Sequence, residues 1–496
     1  MPYRLPVAAP RMCRRTLMRS ALALGATSMV PQLARATASK PLYVDVAEWV
    51  RGLVGGAPGQ LEVLFPNGSE QNLAPIASAF TEMTKVKVKL RGVPAEKLNT
   101  QIALEVMAGE RRFDVALPAT YGLPDLVASD VIQPLNDFAE IYEPADFRRG
   151  ILYDIGDRFD DKLYGFQADG DVYLMFYLKE LIENPNERAA FQDAYGMELA
   201  VPKTWAELDQ QMAWFHRPDQ DLWGGLLLRS QGYLAWEWWS RFHGYGMWPF
   251  SEQMEPQIDA PAGIAALEDM IRSSAYLHPD AKKVRFTANW ELFSQGKTYC
   301  NIGWGGAQKF YNAQGSALRG KLCYGPTPGG AIGAGGKQVP IPFFNWGWSY
   351  VVSRASSRPE VAYLFSLFAS TPEMSTRAVR EAGGFFDPIR PEHYEDPVVR
   401  DVYSDAFLKV HKSSLKGAMP DLFLMNQPEY FRVLEEALAD ALRGETTPSE
   451  ALVRTSQLWE MITSRAGRSE QIRRWQELRA KYPTEVARHL RDVQPG

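Results

Sequence analysis

The segment Leu163–Leu181, LYGFQADGDVYLMFYLKEL, constrains this chain more than any other. Its second half, Val172–Leu178, is an unbroken apolar and aromatic run. A run so short, rich in aromatics and preceded by glycine, fits a strand buried on both faces better than an independent helix. Just before it, Asp169 and Asp171 flank Gly170. A carboxylate at the mouth of a buried strand is costly unless something hydrogen-bonds to it. The segment therefore reads as a crossing between two lobes, with a ligand as the missing partner. A solvated turn ahead of a core strand is the alternative.

Upstream of the crossing, strands and helices alternate. Leu61–Phe65 reads as a strand ended by Pro66-Asn67-Gly68, and Gln71–Lys85 has helical periodicity through Leu73, Ile76, Ala77, Phe80 and Met83. Val86–Leu90 alternates like a half-exposed strand, Ala95–Ala108 is an amphipathic helix, Phe113–Leu117 a third strand and Leu123–Ser129 another helix. This order predicts an α/β layer with a largely parallel sheet. Ligands of such sheets sit at the carboxyl ends of strands, which places Asn67–Glu70 and Pro118–Tyr121 on one rim. Downstream, helices are expected at Thr204–His216 (capped by Thr204), Pro261–Ser274, Thr287–Gly296, Pro428–Gly444 and Ser449–Arg465. Thr298–Trp304 and Trp346–Ser353 read as strands and Pro326–Gly336 as a Pro/Gly loop. No internal repeat is present.

The N-terminus is an export signal by pattern. Residues 1–38 hold six Arg and no acid, and Arg14-Arg15 in CRRTLMRS resembles a twin-arginine signal. Ser20–Leu33 is a weakly apolar core of signal length, and Ala36-Thr37-Ala38 forms an A-x-A cleavage site, so the mature chain is expected to begin near Ser39 in the periplasm. Beyond it, 48 basic residues face 59 acidic ones, a formal charge of -11. A net acidic chain without a basic stripe is a poor nucleic-acid binder. No stretch reaches the roughly 18 consecutive apolar residues of a membrane span. Cys300 and Cys323 remain after cleavage; a disulfide between them and a reduced pair are both open.

Several chemistries fail on spacing. GGAIGAGGK (Gly329–Lys337) lacks the P-loop order, with Gln338 where a Ser or Thr would hold the metal. Asp154, Asp157, Asp160 and Asp161 lack the order of a calcium loop and read as a solvated hairpin turn. The six His are scattered singly, so neither a metal nor a cofactor is expected. Asp169 and Asp171 could serve a glycosidase, but no second, distant acid lies on a recognisable motif. Of 14 Trp, Trp304, Trp346 and Trp348 lie at Gly-flanked turns or strand edges. Their flat apolar faces and polar edges suit the C–H faces of sugars.

The ordered set of features resembles the extracellular solute-binding proteins of ABC importers, in the family that includes maltose-binding protein. The similarity runs from about Leu61 to Arg465. Its blocks are Leu73–Phe138, the crossing with Tyr177 and Lys179-Glu180-Leu181, VPKTWAELDQ (Val201–Gln210), FSQGKTYCNIGW, and FNWGWSYVVSRASSRPEVAYLFSLFAS. The resemblance implies an α/β fold of two lobes joined by a three-strand hinge, with the ligand cleft between them. Residues 61–165 and 298–345 would form the first lobe, 166–297 and 346–496 the second. It also points to ligand-binding roles for Asn67, Gly68, Ser69, Glu70, Thr120, Tyr121, Asp171, Tyr233, Trp236, Trp304 and Trp346, beside Asp169 and Trp348. Departures are insertions around Tyr142–Ile155 and Pro326–Val339, and Asp387 in FFDPIRP where a small or apolar residue is usual. The expectation is a monomeric, non-enzymatic periplasmic receptor. It would deliver a sugar or sugar derivative to an ABC permease. A receptor for a polyamine or phosphodiester, and a secreted glycan-active hydrolase, are the alternatives.

Overall fold

The computed structural model describes residues 40–110, 112–332 and 336–493; the export signal expected in residues 1–38 lies outside them. Val172–Leu178 is a strand with all seven residues buried. Its lack of alternation is that of a central strand covered on both faces. Such a strand needs partners along both edges. Cys300–Gly303 supplies one, opposing residues 174–177, and Leu322–Pro326 the other, opposing residues 174–178. Phe343–Phe344 adds a short antiparallel pairing to Val172 and Tyr173.

A second sheet has the order Lys87–Val93, Gln60–Pro66, Val115–Ala116, Ser349–Val352, Gly165–Gln167. The first three strands are parallel, as the strand–helix alternation predicts, and the last two join antiparallel. Glu70–Thr84 and Pro359–Ala369 cover it, with Leu42–Val54 packed on both helices and Phe80 edge-on to Phe365 and Phe368. These pairings correct the expected lobe boundaries. Residues 300–303, 322–326 and 343–344 sit with Val172–Leu178, whereas 349–352 sits with the N-terminal sheet. The crossing strand recruits both its neighbours from the later chain, and the N-terminal sheet is completed by the strand after Trp348.

Local signals hold where the sequence carries them. Thr204 and Glu207 form a reciprocal capping box at the start of Trp205–Phe215. Arg158–Phe159 pairs with Lys162–Leu163 around Asp160 and Asp161, both at positive φ, so the expected hairpin turn is present. Asp157 beside it is buried, against Arg148 at 3.1 Å and the Ser349 hydroxyl at 3.2 Å, rather than solvated. Within the expected Pro326–Gly336 loop, Gly330–Ile332 is a strand, paired with Lys337–Val339.

The disulfide is excluded. Cys300 and Cys323 both lie opposite Tyr177, on strands flanking it from opposite sides. Two interstrand spacings separate them by about 10 Å, beyond the roughly 7 Å limit for bridging. Both thiols are free.

The chain passes between the two sheets three times. The first passage is Ala168–Asp171, the second Asn345–Trp348. The third follows Pro372–Val379, which packs on the N-terminal half, and precedes Pro397–Tyr403, which packs on Gly305–Asn312 of the other half. No helix among the described residues is long and apolar enough to cross a membrane.

Candidate functional site

The three passages bring together Asp169, Asp171 and Asp387, whose carboxylate oxygens lie within 4.8 Å of one another. All three are buried. Asp169 Oδ1 accepts the Asp387 N–H at 2.7 Å, and its Oδ2 has no partner among the described residues. Asp171 Oδ2 accepts the Gly347 N–H at 3.3 Å. Asp387 accepts the Gly305 N–H at 2.8 Å and the Tyr403 hydroxyl at 2.7 Å. It thereby sits at the N-terminus of Gly305–Asn312, where a negative charge is favoured. A Cβ on Gly305 would lie 2.3 Å from that carboxylate, so only glycine allows the approach.

Among the described residues, one cation stands near this set. Lys309 donates to the carbonyls of Glu381 at 3.1 Å, Gly384 at 2.9 Å and Phe386 at 2.8 Å. Burial pushes its pKa down to about 8, against the pull of Asp387 and Asp169. Burial and then the neighbouring charges hold Asp169 and Asp171 well above the usual carboxylate range. Asp387 rises to about 6, mainly through burial, with Lys309 opposing. These are carboxylates that like charge and desolvation keep from ionising together. The geometry does not suit the glycosidase alternative, in which two carboxyls flank a bond from separate sides at roughly 5–9.5 Å.

Beside the cluster lies a cavity lined by Asp171 and by the rings of Phe286, Trp290, Trp304, Trp346, Trp348 and Phe385. Trp346 has φ 76, unusual for a bulky residue, and the next residue, Gly347, has φ 58. The turn is held from behind, as Thr120 donates its N–H (3.1 Å) and its hydroxyl (2.5 Å) to the Trp346 carbonyl. Trp346 lies 5.1 Å from Trp236 and from Phe286, 5.7 Å from Trp304 and 5.9 Å from Trp348 between ring centroids. Trp304 Nε1 donates to Asn345 Oδ1 at 2.9 Å, whereas Trp346 Nε1 and Asn345 Nδ2 are buried without partners among the described residues. Strained backbone and orphaned polar atoms concentrated in one place are the marks of a site.

Of the residues expected to bind ligand, Asp171, Trp304, Trp346 and Trp348 line this cavity. Tyr233 and Trp236 stand behind them, at 6.4 Å and 5.1 Å from Trp346. Tyr233 also carries the Arg285 guanidinium over its ring at 5.2 Å. Asp169 and Thr120 bond to the passages themselves. Asn67 and Glu70 are exposed, and Ser69 is buried with its hydroxyl unpartnered. Their loop nevertheless abuts the cavity wall, since a Cβ on Gly68 (φ 103) would collide with the Phe385 ring. Tyr121 is half-buried, its hydroxyl pushed up by burial and then by Asp421 and Glu96.

Sequence reasoning missed Phe286, Trp290 and Phe385, which carry no local motif. It noted Asp387 only as a departure. Phe286 had one usable signal, its place at the start of a helix after the basic segment Lys282–Arg285.

Polar contacts join the two halves. Arg285 pairs with Glu96 at 3.1 Å, and the Asn426 N–H donates to Asp125 at 2.8 Å. The cavity offers only about 30 Å³ to the centre of a water-sized sphere, room for one or two waters. A sugar-sized solute enters only if the halves or the rings part.

The family described as bacterial extracellular solute-binding protein matches residues 76–403. The fold is similar to maltose-bound MalE3 of Thermotoga maritima, with 18% identity over 82% of this chain and 100% of that one, at a TM-score of 0.68. An ABC transporter solute-binding protein of Agrobacterium radiobacter, solved with ribitol, has 17% identity, coverage of 81% and 98%, and a TM-score of 0.69. The GacH receptor of Streptomyces glaucescens, solved unliganded and with acarbose, has 21% identity, coverage of 81% and 98%, and a TM-score of 0.66. With two thirds of its length matched by one family, this chain belongs to the bacterial extracellular solute-binding proteins.

Proposed function

We propose that this protein is the substrate-binding component of an ABC importer, taking up a sugar or sugar derivative in the aromatic cavity at the three passages. The family is one of transport receptors rather than enzymes, exported to the periplasm or cell surface. The observation that carries the reading is the aromatic wall around one carboxylate, placed where the chain crosses between its halves. Maltose, ribitol and acarbose in the similar structures are the ligands of those proteins and support a polyhydroxylated solute here. Solute binding between the halves would favour the closed arrangement by its differential affinity for it, and a permease would recognise that form. The three passages would act as the hinge, and the chain would reach the periplasm by the twin-arginine route and work there as a monomer. A phosphodiester suits the site poorly, because the ionisable residue in its lining is an acid and Lys309 is committed to carbonyls.

A thermal-shift screen of sugars, alditols and glycosides, with each compound's mass checked afterwards, tests this. A ligand that raises Tm and is recovered intact supports the receptor. Conversion of the compound would overturn it.

A further inference from the structure

The cavity's chemistry is unbalanced for a neutral polyol. A sugar loses water from several hydroxyls on entry, and each needs a partner in the wall. Here six aromatic rings accompany a single ionisable side chain, Asp171. Behind Asp171 stand two more buried carboxylates within 4.8 Å. Lys309, the one ammonium nearby among the described residues, gives its three hydrogen bonds to backbone carbonyls. The passages therefore set three buried acids beside an aromatic-lined space, and a cation in that space would draw Asp171 into its ionised form. Aromatic faces attract cations through their quadrupoles, most strongly when desolvated, and a buried carboxylate lacking a cationic partner gains most from acquiring one.

Resting on the cavity as the solute site, we infer that the solute carries a cationic nitrogen, with Asp171 as its counter-ion and Trp304, Trp346 and Phe286 around its carbon frame. The nitrogen belongs to an amino sugar or to a small ammonium compound; either satisfies the same wall. Trp346 Nε1, without a partner among the described residues, remains to serve a hydroxyl, which suits a solute with few of them near the charge.

Matched pairs differing only in charge test this by calorimetric titration of the purified protein. Glucosamine is set against glucose, and choline against its neutral isostere 3,3-dimethylbutan-1-ol. The cationic member of at least one pair should bind about tenfold or more tighter than its neutral partner. Asp171→Asn should erase that preference while the melting curve stays cooperative. Should that variant fail to fold, the wild-type preference between pair members decides alone. Neutral members binding as tightly as cationic ones would overturn the charge assignment and leave the receptor reading standing. Absence of binding by either pair, together with binding of an unrelated neutral sugar in the broader screen, would overturn it as well. Absence of any binder in both experiments would remove the proposed function along with it.

Discussion

Two buried charge clusters in this molecule are built on opposite plans. In the half centred on Val172–Leu178, Arg229 and Arg241 both grip Glu237, and Arg241 makes a forked pair with Asp209 at 2.7 and 2.8 Å. Ser273, Ser274 and the Met270 carbonyl take the remaining Arg229 donors. Two cations meet two anions, and every Glu237 oxygen is engaged. Burial alone would raise the Glu237 carboxyl, but the two guanidiniums hold it below its ordinary range. At the passages, three carboxylates share one lysine that bonds to none of them, and an Asp169 oxygen has no partner. A balanced buried network fixes the scaffold. An unbalanced one stores a demand for a partner, and it lies against the cavity.

The comparison breaks if equivalent substitutions act alike. Glu237→Gln leaves the buried Arg229 guanidinium without an anion and Arg241 with Asp209 alone, and should cost about 3–5 kcal/mol, read as a lower urea midpoint. A further unpaired acid, Asp421, extends the second class. It is buried, one oxygen has no partner, and burial pushes it up to about 7. Between about pH 4 and 7 the folded state then holds a proton that the unfolded chain has released, so this group's contribution falls as pH rises. His243, His393 and His411, lowered by burial to about 4, 3 and 3, act in the opposite sense between those values and about 6.5. The difference between wild type and Asp421→Asn isolates the acid. The variant should gain about 2–4 kcal/mol relative to wild type from pH 4 to 8, measured by unfolding at each pH. A flat difference would contradict the assignment.

Asp169→Asn sharpens the contrast at the passages. It keeps an oxygen for the Asp387 N–H and removes an acid held among like groups at a buried position, so it should raise stability by about 1–2 kcal/mol, where Glu237→Gln lowers it. A loss comparable to that of Glu237→Gln would mean the two clusters are equivalent. The smallest effect is expected from reductant: with both thiols free, dithiothreitol should leave Tm unchanged, and a drop would reveal a crosslink.

Much of the site's location was legible before its composition. The Asp169-Gly170-Asp171 turn and the run after it marked a passage, because a bilaterally buried strand must be apolar throughout. Trp304, Trp346 and Trp348 stood out through the glycines around them. Phe385 and Asp387 did not, because the loop that holds them carries no periodicity. Their position depends on how two helices pack on different halves.

The sequence by itself determined the local elements: the strands and helices of the N-terminal sheet, the Thr204 cap, the hairpin at Asp160, and an ordered set of blocks that resembles the family. These rest on propensity, capping and periodicity, which act over a few residues. Tertiary structure alone decided which strand lies beside which. It placed 300–303 and 322–326 on either side of Tyr177, kept the cysteines apart, and drew Asp387 to residues more than two hundred positions earlier. Strand pairing and charge burial depend on neighbours brought in by the path of the whole chain, and no local window contains them.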